Sequence, residues 1–117
     1  MANSKKTMAR IESVTFKGAS GRQYQFECYD LDTSFKSISA VYILAERTGL
    51  SSGKPDYVFV YIGQTDDLRG RLFGHNKSDC FKKNNANCIC INIQLLKRTR
   101  HSIEKDLLDK YSPPCND

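Results

Sequence analysis

Apolar and polar residues alternate along five segments of the chain, with the two-residue period of a half-buried β-strand. The first two segments flank the Gly-Ala-Ser-Gly stretch 18–21, which predicts an N-terminal β-hairpin. The other three cover residues 38–45, 57–62 and 88–96. Strict alternation in segment 57–62 assigns its residues to two faces: Val58, Val60 and Ile62 on one, and Tyr57, Phe59 and Tyr61 on the other.

Two segments have helical character. Thr65 is a suitable N-cap, and the two aspartates after it fall in the first turn, where the helix dipole favours negative charge. This helix is expected to include His75. A second helix covers residues 98–111 and stops at the prolines that follow. Residues 76–87, rich in Lys and Asn, are expected to form a loop. The order of strands and helices predicts a small α+β fold.

The length of 117 residues fits one domain. No segment approaches the roughly 18 apolar residues of a membrane span, and residues 1–12 lack the apolar core of a secretory signal. We therefore expect a cytoplasmic protein without a membrane partner. Its five cysteines are then expected to be reduced thiols.

Positive charge is concentrated in one part of the chain. The net charge is +5, but residues 69–105 contain nine Lys and Arg and two acidic residues, so the rest of the chain is net negative. This asymmetry favours a polyanionic partner, with nucleic acid the usual one; the alternative is an ordinary solvated surface. The residues expected to contact phosphate are Lys77, Lys82, Lys83, Lys97, Arg98 and Arg100.

Glu104 falls inside an apolar stripe on the second predicted helix. On a helical wheel the stripe spans an arc of roughly 140° and consists of Ile103, Leu107, Leu108 and Tyr111. A carboxylate there loses hydration unless a cation compensates, so Glu104 is either a metal ligand or the partner in a structural ion pair. Asp106 and Asp109 fall outside the stripe and are expected to be solvated.

Arg71 and His75 are four residues apart and are neighbours on the predicted first helix. A guanidinium grips two phosphate oxygens, and an imidazole holds or moves a proton near neutral pH; the alternative is an exposed Arg beside a helix-capping His. Tyr42 and Tyr61 occupy adjacent predicted strands, as core residues or as catalytic phenols. Because a free phenol is a poor base, Tyr42 would need a proton acceptor, and His75 is the candidate.

The order and spacing of these residues resemble the GIY-YIG nuclease superfamily over residues 40–116, about two thirds of the chain. Ala40-Val41-Tyr42 corresponds to the first motif and Tyr61-Ile62-Gly63 to the second. The family's intervals are matched as follows: Gly63 precedes Arg71 by eight residues, His75 follows Arg71 by four, and Glu104 precedes Asn116 by twelve. The departures are Ala40 in place of the usual Gly, a longer gap between the two tyrosines, and Gln64 where some members have Lys.

The resemblance implies a central antiparallel three-stranded sheet flanked by helices. Residues 38–117 would form the nuclease-like part, and residues 1–37 a hairpin extension of the same domain. It also implies hydrolysis of phosphodiesters with one divalent metal ion, Mg²⁺ or Mn²⁺, held by Glu104. The implied catalytic residues are Tyr42, Tyr61, Arg71, His75, Glu104 and Asn116, and Gly63 is an implied substrate contact.

In this scheme Arg71 stabilises the phosphate, Tyr42 acts on the attacking water with help from His75, and Asn116 supports Glu104. Nucleic acid, with DNA favoured over RNA, is the expected substrate. Its selection is expected to depend on the loops, the hairpin, a homodimer or a separate targeting protein. One alternative is an inactive module of the same fold that binds nucleic acid or a protein. Another is a small zinc module, with His75, Cys80, Cys88 and Cys90 as ligands.

Overall fold

The computed structural model describes residues 10–49, 51 and 53–116, so the first nine residues of the predicted extension lie outside it. Eight elements follow one another in this part of the chain. In order they are β1 (Glu12–Lys17), β2 (Gln23–Asp30), β3 (Ala40–Thr48), β4 (Asp56–Thr65), α1 (Leu68–Leu72), α2 (Ser78–Lys83), β5 (Cys88–Ile93) and α3 (Lys97–Leu108).

All five strands form one antiparallel sheet, in the spatial order β1-β2-β5-β3-β4. The sheet curls into a half-barrel and is accompanied by three short helices. The predicted three-stranded sheet flanked by helices is therefore wrong. The physical reason lies at β5, whose second edge would expose unpaired backbone groups if the sheet ended there. The hairpin strand β2 pairs with that edge instead, with Cys28 opposite Cys90.

The sheet carries one apolar cluster on each face. On the first, which we call the α3 face, Ile103 of α3 packs with strand residues such as Ile43. On the second, the α1–α2 face, Leu68 of α1 and Phe81 of α2 pack with Leu44. Each fully buried aliphatic side chain of this kind contributes roughly 1.5–3 kcal/mol to folding, so both faces are held by their helices.

A β-bulge in β4 decides which face its residues occupy. The register between β3 and β4 skips Val60, so Val60 and Tyr61 both join the α1–α2 face. Phe59 and Ile62 join the α3 face. The strict alternation expected for residues 57–62 is therefore wrong, and the bulge is what turns Tyr61 toward α1 and α2.

The first helix is shorter than expected and has a different cap. The Asp67 side chain, not that of Thr65, accepts the capping hydrogen bond from the Gly70 amide, at 3.0 Å. The helix ends at Leu72 because Gly74 adopts the left-handed conformation, with φ of +69°. His75 therefore lies beyond the helix that carries Arg71.

The longest described helix, α3, has twelve residues, and no helix in the described part of the chain is long and apolar enough to cross a bilayer.

α2 occupies part of the segment predicted to be a loop, and a disulfide ties it to the C-terminal tail. The bond joins Cys80 of α2 to Cys115. The expectation of five reduced thiols is thus wrong at this pair, whereas Cys28, Cys88 and Cys90 are free and buried. The covalent link closes a separation of 35 residues, which restricts the unfolded chain.

The hairpin is fastened to α3 by an aspartate that was expected to be solvated. Asp106 accepts hydrogen bonds from the Ser20 amide at 2.8 Å and from the hydroxyls of Ser20 and Tyr24, both at 2.6 Å. These bonds lower the pKa of Asp106, that to the Ser20 hydroxyl most. The hairpin is thus held at its turn by α3 as well as along β2 by β5.

Candidate functional site

Two tyrosines lie side by side on the α1–α2 face. The ring centroids of Tyr42 and Tyr61 are 5.9 Å apart. Tyr42 is fully buried in β3, whereas Tyr61 in β4 is partly exposed. The residue directly opposite Tyr42 on β4 is Gly63. The ring of Tyr42 therefore lies against a strand position that has no side chain.

Gly63 is required at that position for reasons of space. A Cβ atom there would lie 2.7 Å from Cζ of Tyr42 and from Cε2 of Tyr61, and 2.8 Å from Oη of Tyr42. These distances are well inside van der Waals contact, so any other residue would displace both rings. The structure thus gives Gly63 the role of making room for the two phenols.

His75 holds the Tyr42 hydroxyl, and its own backbone surroundings fix its tautomer. The Lys77 amide donates a hydrogen bond to Nδ1 of His75 at 3.0 Å. In a neutral ring the proton must then be on Nε2, which lies 3.0 Å from Oη of Tyr42 and donates to it. Burial, with the charges of Arg71 and Lys77, lowers the pKa of His75 to about 4. The imidazole is therefore neutral at pH 7.

Arg71 approaches the same hydroxyl from α1. Its Nε donates to Oη of Tyr42 at 3.4 Å, and this contact raises the pKa of Arg71 further above its ordinary value. The side chain is otherwise exposed. Tyr61 also interacts with the guanidinium and raises its pKa, so both phenols lie beside Arg71.

Tyr42 is consequently an acceptor from two donors. With both lone pairs of Oη used by His75 and Arg71, its own O–H hydrogen is left to donate, and Tyr61 is a neighbouring side-chain hydrogen-bond partner. Burial raises the pKa of Tyr42, against the lowering effect of Arg71. In this tautomer His75 cannot take the phenol proton, so the expected role of His75 as the proton acceptor of Tyr42 does not fit the geometry.

Glu104 is not part of this hydrogen-bonded group. It lies on α3, which packs on the opposite face of the sheet. Along α3, Arg100 bonds Gln64 of β4 and the Tyr111 ring meets Phe59 at 4.5 Å. Glu104 falls between these two contacts in the chain, on a helix that packs against the face of β4 opposite the Tyr42 network.

The carboxylate of Glu104 has a weak counter-charge. Its side chain is 24% exposed, and Nδ1 of His101 lies 3.7 Å from Oε1. Burial raises the pKa of Glu104, while His101 partly opposes that effect. Among the described residues, no group of three or more His, Cys, Asp and Glu side chains is arranged to hold a metal ion.

Asn116 is bound to the outer edge of β4. Its amide oxygen accepts from the Ile62 N–H at 2.9 Å, and its amide nitrogen donates to the Ile62 carbonyl at 2.8 Å. The neighbouring Cys115 amide donates to the Val60 carbonyl at 3.0 Å. The tail therefore pairs with β4 like an extra strand, and both amide atoms of Asn116 bond Ile62, not Glu104.

The expected phosphate-binding residues do not share one surface. Lys82 and Lys83 are exposed on α2, and Lys97 and Arg98 are exposed at the start of α3, on the other face. Lys77 is half-buried, and its main chain orients His75. That role left no signal in the sequence because it uses a backbone amide.

Arg100 departs most from expectation. It is only 3% exposed, and its guanidinium donates to Oε1 of Gln64 and to the carbonyls of Gln94 and Leu95 at 2.9–3.0 Å. A guanidinium with three internal acceptors is a structural group, and at 3% exposure Arg100 is not available to a phosphate.

The residues of the alternative zinc module are not brought together. Cys80 is in the disulfide, and Cys88 and Cys90 belong to the cluster on the α3 face. His75 lies on the α1–α2 face with Tyr42. These four side chains therefore do not form a tetrahedral set.

Comparison with protein-family models, curated proteins and solved structures finds no match to this chain. Membership of the GIY-YIG superfamily therefore stays a prediction that rests on the order and spacing of the residues above.

Proposed function

We propose that this protein is a metal-dependent endonuclease that hydrolyses phosphodiester bonds in nucleic acid, with DNA the expected substrate. The observation that carries the proposal is the network beside Gly63 in which Oη of Tyr42 accepts from His75 at 3.0 Å and from Arg71 at 3.4 Å. An ordered phenol beside a partly free guanidinium suits a phosphate that gains negative charge in its transition state.

Each member of the network has a role that follows from its hydrogen bonds. Arg71 holds Tyr42 through Nε and offers its Nη groups to the scissile phosphate. His75 is a positioning residue, because it donates to Tyr42 and fixes the ring. Tyr42 donates its remaining hydrogen to a phosphate oxygen or to the attacking water, and Tyr61 orients the same groups from β4. The water oxygen forms the new bond to phosphorus as the bond to one sugar oxygen breaks, and in the net reaction one hydrogen of that water passes to the departing sugar oxygen.

Glu104 is the residue that would hold Mg²⁺ or Mn²⁺. Its donor chemistry fits, since it is a half-buried carboxylate whose described ionic partner is a histidine at 3.7 Å. One carboxylate is enough for Mg²⁺, which keeps several waters. Such an ion, when bound, supplies charge stabilisation to the leaving oxygen. To act on one phosphate, Arg71 and an ion on Glu104 would have to meet at the outer edge of β4, beside the tail that pairs with Val60 and Ile62.

A module of the same fold that binds without cutting is the second candidate. The separation of Glu104 from the Tyr42 network by the sheet is the observation that favours it. In that case Arg71 and the surface lysines would hold phosphates with no hydrolysis.

Cleavage of duplex, branched and single-stranded DNA and of RNA, in Mg²⁺ or Mn²⁺, tests the proposal. We expect Arg71→Ala and Glu104→Ala each to reduce the rate by about 10²–10³-fold with an unchanged unfolding temperature. Arg22→Ala on the hairpin and Asp109→Ala after α3 are the matched controls, since both residues are exposed. Wild-type rates for Arg71→Ala or Glu104→Ala would reject the site. Binding without cleavage by the wild-type protein on every substrate would establish the second candidate.

A further inference from the structure

A large groove opens beside the Tyr42 network on the α1–α2 face. It has a volume of about 1210 Å³ and lies between the connector 31–37 and the two short helices. His75 lines both the groove and the network. Phe81 joins them as well, since its ring centroid lies 4.9 Å from that of His75 and 5.4 Å from that of Tyr61. The groove and the site proposed to hold the scissile phosphate therefore share a wall, which His75 and Phe81 form.

The groove combines an apolar interior with a cationic rim. Leu44 and Ile89 of the sheet and Phe35 of the connector form its interior. Phe73 stands at the rim with 89% of its surface exposed. The basic groups along the rim are Lys36, Arg69 and Lys82, and the acidic ones are Asp32 and Asp67. The Asp67 carboxylate is already engaged by the Gly70 amide and the Ser37 hydroxyl.

Thr33 adds an unsatisfied polar group to the lining. Its residue is 8% exposed, and Oγ1 is the buried side-chain polar atom that has no hydrogen-bond partner among the described residues. Leaving such a group unpaired costs about 1–3 kcal/mol. The connector that lines the groove therefore contains one buried hydroxyl without a partner.

We propose that this groove binds an unpaired base of a single-stranded nucleic-acid segment, next to the phosphate held by Arg71. The proposal rests on the proposed function and names its substrate class. Exposed aromatic rings with basic neighbours are the recurring platform for single strands, because each base has a face that stacks and each nucleotide a phosphate. A paired base is enclosed in its duplex and cannot reach the groove interior without leaving the stack.

The rim favours a nucleic acid over an apolar peptide as the occupant. Three basic and two acidic side chains line the groove, so its rim has a net positive charge that an apolar peptide would leave unmatched. A nucleotide satisfies both parts of the groove at once, with its base in the apolar interior and its phosphate on the rim. The protein should therefore prefer single-stranded or branched substrates over continuous duplex.

Fluorescence anisotropy of the full chain in EDTA, where metal-dependent cleavage is absent, tests this groove directly. The probes are a short single-stranded DNA, an RNA of the same sequence, a duplex, and an abasic strand with the same phosphates. We expect the abasic strand and the duplex to bind about tenfold more weakly than the preferred single strand, given the usual strength of base stacking on an aromatic residue. The ratio of DNA to RNA affinity assigns the sugar preference.

Phe73→Ala should remove that preference while leaving abasic binding unchanged. Leu95→Ala is the matched control, because Leu95 is also highly exposed and does not line the groove. Equal affinity of the wild-type protein for the abasic and the normal strand, or no effect of Phe73→Ala, would overturn the groove assignment even if the protein cleaves DNA. Base-dependent binding without any cleavage in Mg²⁺ would instead support the assignment of the groove and reject the proposed nuclease activity.

Discussion

Gly63 offers the sharpest test at the scale of single residues. Gly63→Ala places a methyl group 2.7 Å from both tyrosine rings, so Tyr42 must move away from His75 and Arg71. We expect the variant to lose most cleavage activity and about 1–3 kcal/mol of stability, the usual cost of overpacking. Gly21→Ala is the control, since its φ of +90° strains the backbone of the hairpin turn without crowding any neighbouring side chain. Equal activity of the two variants would show that the ring positions do not matter.

His75 makes a second prediction at this scale, on the pH dependence of stability. Its pKa is about 4 in the folded protein and near 6.5 when unfolded. As pH falls below 6.5 the unfolded chain takes up the proton first, so the stability due to the neutral ring is complete above that pH and declines toward pH 4. We expect urea denaturation to show decreasing stability between about pH 6.5 and 5, above the range in which the carboxylates with lowered pKa titrate.

The matched variant is His75→Gln, whose amide donates to Tyr42 but does not titrate. It should be less stable than wild type at pH 7 and show a flatter slope over the same interval. It should also retain more cleavage than His75→Ala, because donation to Tyr42 is the proposed role. An unchanged slope in His75→Gln would assign the pH dependence to another group.

At the scale of elements, Arg100 ties the first turn of α3 to the end of β5 and to β4. Its three bonds to Gln64, Gln94 and Leu95 are buried. Arg100→Ala leaves three acceptors without their donor, and we expect a loss of about 2–4 kcal/mol. Arg98→Ala, two residues earlier and exposed, should change stability by less than about 0.5 kcal/mol. Thermal unfolding of both variants measures the difference, and similar melting temperatures would contradict the structural role.

The strands could be located from the sequence, but their pairing could not. Alternation identifies β2 and β5 separately, yet nothing in either pattern states that Cys28 faces Cys90 across the sheet. The face of Tyr61 was missed for a related reason, because a bulge at Val60 has no signature in a run of β-branched and aromatic residues. Local patterns give elements, whereas the long-range register decides which side chains meet.

The candidate site was foreseen in part. Tyr42, Tyr61, Gly63, Arg71 and His75 are brought together, although His75 lies outside the helix on which it was expected. The direction of the His75 hydrogen bond depends on a backbone amide and was not predictable from side-chain types. The helical wheel of the second predicted helix did identify Glu104 as a half-buried carboxylate. A helical wheel does not, however, show which face of a sheet the helix covers.

At the scale of the whole molecule, β4 is an outer strand of the curled sheet with proposed functional groups on both sides. The Tyr42 network and α2 lie on one face, and α3 with Glu104 lies on the other. The hairpin curls back over the α3 face: although β1 and β4 are the two ends of the strand order, the ring centroids of Phe16 in β1 and Phe59 in β4 are 4.7 Å apart. Because the two faces meet at the outer edge of β4, a nucleic acid that uses the whole site must wrap that edge together with the tail paired to it.

Charge reversal on three surfaces tests whether the nucleic acid wraps that edge. We expect Lys82→Glu with Lys83→Glu on α2, and Lys97→Glu with Arg98→Glu on α3, each to weaken DNA binding and to reduce the salt slope by about 2, since each lost phosphate contact removes about 0.9. Lys17→Glu with Arg22→Glu on the hairpin makes the same change in net charge at exposed residues and should leave the slope nearly unchanged. Binding measured over a series of salt concentrations gives all three slopes. An effect confined to the α2 pair would show that the DNA binds one face only, which would argue against Glu104 as the metal ligand. Equal effects of all three pairs would show that the DNA is attracted by the net charge alone.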